Sequence, residues 1–135
     1  MTRTHLLELM HNGESSGVEF KRDDIQNQDF ARELVALANL EGGLLLLGVE
    51  DDGVVSGITR SPAKLEEWVM NACRDKIRPG LIPFYELIRD VEPGKDVAAV
   101  RVSRGLDVHT LWHHNKNAYF IRVGTQSAYF GERDR

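Results

Sequence analysis

Apolar residues recur along the chain with two different periods, and the switching between them sketches a fold. From Thr4, read as an N-cap, Leu6, Leu7, Leu9 and Met10 fall at helical spacing until Asn12-Gly13, which predicts a short first helix. Val18 and Phe20 then alternate with Glu19 and Lys21, the period of a half-exposed strand. Glu19 and Lys21 are therefore expected on one face, away from the core, with Phe20 turned inward. Phe30, Leu34, Leu37 and Ala38, flanked by Ala31 and Val35, form a buried helical stripe that ends near Glu41-Gly42-Gly43.

The run "LLLLGVEDDGVVSGI" reads as a strand covered on both faces, then a hairpin turn at Asp52-Gly53 and a return through Val54-Val55. Ser61-Pro62 opens a third helix with a cap and a first-position proline; Leu65, Trp68, Val69, Ala72 and Cys73 are its stripe, and Arg78-Pro79-Gly80 stops it. Residues 84–91 and 97–102 are strands joined by the turn Glu92-Pro93-Gly94-Lys95, and residues 119–123 make another. The expected architecture is an α+β sandwich: a single domain over residues 1–135, with a mixed or antiparallel sheet and about three helices.

Composition agrees with one core, since 135 residues are too few for two comfortable ones and 41% are hydrophobic. The longest apolar run, 44–47, is far short of the roughly 18 residues a membrane span needs, and the N-terminus lacks the pattern of a signal peptide, so no membrane partner and a cytoplasmic location are expected. The single cysteine, Cys73, has no internal disulfide partner and reads as a small buried apolar residue. Seventeen basic against twenty-one acidic side chains give a formal charge of −4, which excludes a protein that coats nucleic acid by bulk attraction. Any contact with phosphate must come from a local patch.

Three segments in order, "ESSGVEFKR", "ELVALANLEGGLLLLGVEDDGVVSGI" and "YFIRVGTQS", resemble the Schlafen Alba-type (AlbA_2) domain, a DNA-binding family found in Schlafen proteins and prokaryotic transcriptional regulators. The resemblance covers roughly residues 3 to 128. It implies an α/β lobe that pairs with a second lobe to form a groove for DNA or RNA; one lobe is present here, so the implied partner is a second copy of the chain, a homodimer. In the Schlafen nucleases, metal-dependent RNA cleavage uses two glutamates and an aspartate that correspond to Glu14, Glu19 and Asp51. Glu50 stands where that turn usually has its first aspartate, and Leu40 where the family has threonine.

The leading expectation is a nucleic-acid-binding module of a transcriptional regulator or defence protein, with Lys21, Arg22, Arg60 and Arg122 as phosphate contacts; Arg122 is assigned to the exposed side of its strand, beside Phe120. Binding itself requires no cofactor. The alternative is a divalent-metal-dependent endoribonuclease in which Glu14, Glu19 and Asp51 hold Mg²⁺ or Mn²⁺, hard cations that prefer oxygen ligands and activate water against a phosphodiester. A third reading is a protein-interaction or dimerisation module. "LEGGLLLLG" is not a phosphate loop, because it runs from helix to strand, the reverse of the order that presents amides at a helix N-terminus; Gly42 and Gly43 are expected to cap the helix with positive φ. In "HTLWHH", His109 and His113 have the spacing of a zinc pair on a helix, set against ordinary loop histidines, and Trp112 reads as an interface, base-stacking or core aromatic.

Overall fold

The computed structural model describes residues 1–133; Asp134 and Arg135 of the expected domain lie outside the described residues. The elements run α1 (Arg3–Asn12), β1 (Val18–Lys21), α2 (Asn27–Leu40), β2 (Gly42–Leu47), α3 (Pro62–Asp75), β3 (Ile77–Arg78), β4 (Phe84–Glu92), β5 (Lys95–Ser103), β6 (Thr110–His113), β7 (Lys116–Val123) and β8 (Gln126–Arg133). They form two four-stranded sheets, ordered β1-β2-β5-β4 and β3-β6-β7-β8. The first is mixed, with β1 parallel to β2 and the remaining pairs antiparallel; the second is antiparallel throughout. The fold is α+β, as the patterning predicts, and no helix among the described residues is long and apolar enough to cross a membrane.

Both faces of the first sheet are covered. Phe20, Leu44 and Leu46 pack with Leu6 and Met10 of α1. Leu45 and Leu47, on the opposite side, join α2, α3 and the inner residues Ile77, Leu111 and Ala118 of the second sheet. Leu45, Leu46 and Leu47 are fully buried, each contributing about 1.5–3 kcal/mol of transfer free energy. Helix α2 lies between the sheets and is buried almost all round, which explains why Ala31, Val35 and Ala36 widen its apolar stripe into a sleeve.

Two caps anchor these helices. Thr2, one turn earlier than the expected Thr4, accepts from His5 N at 3.1 Å to start α1, and Ser61 accepts from Lys64 N to start α3. After α2, Gly42 takes φ +81, and a Cβ there would lie 2.7 Å from the Val102 carbonyl oxygen; at Gly43 it would lie 2.6 Å from that of Gly17. Only glycine fits where the chain slips between β1 and β5. Asn39, just upstream, donates to the carbonyls of His109 and Phe120 (2.8 and 2.9 Å) and accepts from His109 N (2.9 Å), stitching α2 to the second sheet.

The fold departs from the pattern in four places. The expected hairpin after β2 is only a bridge between Val49 and Val55, because Gly48 (φ +100) turns the chain out of the sheet and gives its carbonyl to Ser56 and Gly57; β2 pairs instead with β1 and β5. Glu19 is not on an open face: it is 4% exposed, since α2 and β7 cover that side of β1. Residues 110–113 are a strand, so His109 and His113 do not share a helical face, and the buried His109 ring is spent on a 2.6 Å contact between Nδ1 and the Pro79 carbonyl. Strands β3, β6 and β8 add to the one expected in this region, β7. Cys73 is buried as expected, and burial pushes its thiol up to about 12.

Candidate nucleic-acid cleft

β1 and β2 are parallel neighbours joined through α2, so their carboxyl ends open at the same edge of the sheet, the place where α/β units collect ligands. The ends are tied together: Gly48 N and Val49 N both donate to the Lys21 carbonyl, at 2.8 and 3.3 Å. Beyond them lies a cleft of about 340 Å³ lined by Lys21 at the end of β1, Arg22 and Ile25 after it, Asp29 and Arg32 from the first turns of α2, and Val49, Glu50 and Asp51 after β2. The Asp52-Gly53 turn holds its far wall, with Glu50 N donating to the Val54 carbonyl and Val54 N to Asp52 Oδ1.

The rim is zwitterionic. Arg22 reaches Asp24 at 3.2 Å and Glu50 at 3.6 Å, and Arg32 reaches Asp29 at 3.2 Å. Arg22 and Asp24 are each more than half exposed, and such pairs contribute about 0–1 kcal/mol. A phosphate can take the place of these carboxylates at little cost.

Behind the rim the charges are of another kind. Ser15 and Gly17 fold the "ESSG" stretch back on itself, Gly17 N donating to Ser15 Oγ, so that Glu14 Oε2 accepts from Phe20 N at 2.9 Å and its carboxyl meets that of Glu19. Glu19 ion-pairs with Arg122 and with Lys21 (3.3 Å). Arg122 also reaches Glu33 Oε2 at 3.3 Å and donates to the Ser15 carbonyl at 3.0 Å, while Ser127 Oγ donates to Glu33 at 2.7 Å. Burial raises Glu19 to about 7; the hydrogen bond that its protonated carboxyl donates to Glu14 adds to the rise, and Arg122 opposes it without prevailing. Burial also acts to lower Lys21, but the fields of Glu19, Glu33 and Asp51 outweigh it and the ammonium is raised above its ordinary value.

Of the expected residues, Lys21, Arg22 and Asp51 meet in the cleft. Arg60 stands beside it rather than in it: Asp23 accepts from Thr59 N, Thr59 Oγ1 and Arg60 N, and the Arg60 guanidinium lies 4.4 Å from the Trp68 ring centre. Arg122 corrects the expectation most sharply. It is 3% exposed, on the side of β7 that faces α2, and both terminal nitrogens of its guanidinium are taken by carboxylates and carbonyls.

The carboxylates do not fit a Mg²⁺ or Mn²⁺ site as they stand. Glu14 is engaged by a backbone amide and Glu19 by Arg122 and Lys21, while Asp51 lines the cleft with Lys21; no group of three or more such ligands gathers among the described residues. Two charged cleft residues escaped the sequence reading, Asp29 and Arg32, together with the buried Glu33. A signal existed for Glu33: it sits three residues after Phe30 and four before Leu37, a charge inside an apolar stripe.

Comparison with known proteins bears on the fold and the family. In a solution NMR structure, the N-terminal domain of a protein named as related to the ATP-dependent DNA helicase RecG, from Nitrosomonas europaea, is 26% identical over 78% of this chain and 74% of that one, with a TM-score of 0.62. The crystal structure of the DIP2311 protein from Corynebacterium diphtheriae shares the fold at 18% identity and a TM-score of 0.58, over 85% of this chain but only 22% of that longer one. No curated protein matches the chain. The family described as "Schlafen, AlbA_2" matches residues 14–130, and the chain belongs to that family.

Proposed function

We propose that this chain is a nucleic-acid-binding AlbA_2 module that works as a homodimer within a transcriptional regulator or defence protein. The observation that carries the reading is the gathering of Lys21, Arg22 and Arg32 around one cleft at the carboxyl ends of β1 and β2, where the arginines pair with Asp24 and Asp29 near the surface and Lys21 is backed by the buried Glu19. A polyanion needs local cations that can be released from their partners, and with a net charge of −4 the rest of the surface does not supply them in bulk. Family membership and the helicase-related neighbour point to the same class of partner.

Fluorescence anisotropy with labelled DNA and RNA at low salt tests the reading. Binding at micromolar concentration or tighter, weakened by salt and by Lys21→Ala, is the expected result, with two chains per particle by light scattering; no binding below high micromolar concentration sinks it. Cleavage of structured RNA that requires Mn²⁺ and disappears in Glu19→Ala would put the endoribonuclease reading in its place.

A further inference from the structure

The second sheet has an outward face that the cleft does not use. Register places its side chains: Arg78 lies opposite Thr110, Trp112 opposite Asn117, and Asn117 opposite Arg133, so these positions share one face, and Tyr119, two residues beyond Asn117, shares it too. The alternate positions Ile77, Leu111 and Ala118 belong to the core. On the outward face, Arg78 lies with Cζ 3.8 Å from the centre of the Trp112 ring, and Arg133 with Cζ 5.8 Å from that of Tyr119. Both arginines are exposed and both rings half-buried, so each guanidinium has one side on an aromatic ring and the other in water.

Their charges are uncommitted, unlike those of the cleft. Among the described residues Arg78 and Arg133 make no ion pair, because the acids nearest them in sequence are taken: Asp75 pairs with Arg74 and Glu132 with Lys116. The floor is rigid, since the Thr110 hydroxyl lies 3.0 Å from the Arg78 carbonyl oxygen and 2.9 Å from Asn117 Oδ1, holding β3, β6 and β7 in register.

We propose that this face is a stacking platform for single-stranded nucleic acid, in which Arg78 over Trp112 and Arg133 over Tyr119 each seat one unpaired base; the inference rests on the nucleic-acid reading and specifies its substrate class. Guanidinium planes and aromatic rings are the surfaces on which unpaired bases stack, and the free guanidinium N–H groups can reach the adjoining phosphates. Trp112 and Tyr119 are diagonal neighbours on adjacent strands, about 7–8 Å apart. Two bases seated there are unstacked from each other, which a duplex with about 3.4 Å between successive bases does not permit.

The test uses the whole chain with oligothymidylate, oligouridylate and a duplex of equal length at one salt concentration. Trp68→Phe leaves Trp112 as the sole tryptophan, and its emission is expected to be quenched by either single strand and not by the duplex. Arg78→Gln, a change at an exposed position, is expected to weaken single-strand binding about tenfold, the effect of losing one stacked base, and to leave duplex binding within about twofold. Trp112 emission that stays constant at saturating single strand, or an Arg78→Gln loss equal for single strand and duplex, overturns the platform. If Trp68→Phe does not fold, the Arg78→Gln comparison decides alone. Binding that Lys21→Ala reduces while Arg78→Gln leaves it untouched removes the platform and keeps the cleft; no binding of any of the three probes removes both.

Discussion

The cleft is built from two kinds of ion pair that a sequence cannot tell apart. Arg22 and Arg32 on the rim meet Asp24, Glu50 and Asp29 at the surface, Arg22 and Asp24 mostly in water and Arg32 and Glu50 about one-third exposed, whereas Arg122 behind the wall meets Glu19 and Glu33 with almost no access to solvent. Exposed pairs gain little and come apart readily. Buried ones have lost their hydration, and each partner becomes costly to leave alone. The same chemistry therefore serves recognition in one place and architecture in the other, and burial alone decides which.

The sharpest way to break this contrast is Arg122→Ala. It leaves Glu19 and Glu33 buried without their shared cation, and chemical denaturation should report a loss of about 3–5 kcal/mol. A loss under about 1 kcal/mol would mean that the buried cluster behaves like the rim.

A smaller effect should follow pH. Glu19 is raised from 4.5 to about 7 in the folded chain, so folding takes up a proton between those values; its contribution to stability is full below about pH 4.5 and is lost as pH rises through about 7. Unfolding free energies from urea titrations across this window should fall with rising pH by an amount on the order of 2 kcal/mol, and Glu19→Gln should flatten the slope. A slope unchanged in Glu19→Gln assigns the titration to another group.

The smallest effect on stability is expected at the rim. Arg22→Ala or Arg32→Ala should change folding free energy by no more than about 0.5 kcal/mol, yet each should reduce the salt dependence of nucleic-acid binding by about one unit of slope. An unchanged slope for both would take the arginines out of the interface.

Much of the fold was legible because its strongest signals are local. Four leucines between glycines at β2, the stripe of α2 and the Ser61-Pro62 start of α3 each specify their own structure, and so does the Pro93-Gly94 turn between β4 and β5. The site was only half legible. Periodicity located Lys21 on β1, with Arg22 just after it, and gave the alternation of β7, but alternation does not say which face another layer will cover, and so Glu19 and Arg122 were read as open. Strand β8 carries Gln126, Ser127, Gly131 and Glu132 and has no apolar rhythm to announce it; β3 is two residues long. Arg32 lay hidden because a polar residue at the start of a helix looks like ordinary solvent-facing surface until the ends of β1 and β2 close in beside it.

Asn39 carries a mechanical consequence. Its carboxamide fastens one end of α2 to the second sheet, and the opposite end of the same helix contributes Asp29 and Arg32 to the cleft mouth. Glu33, next to Arg32, is fastened to the same sheet through Arg122 and Ser127, so the helix is held at both ends and the position of Arg32 at the opening is set by the second sheet.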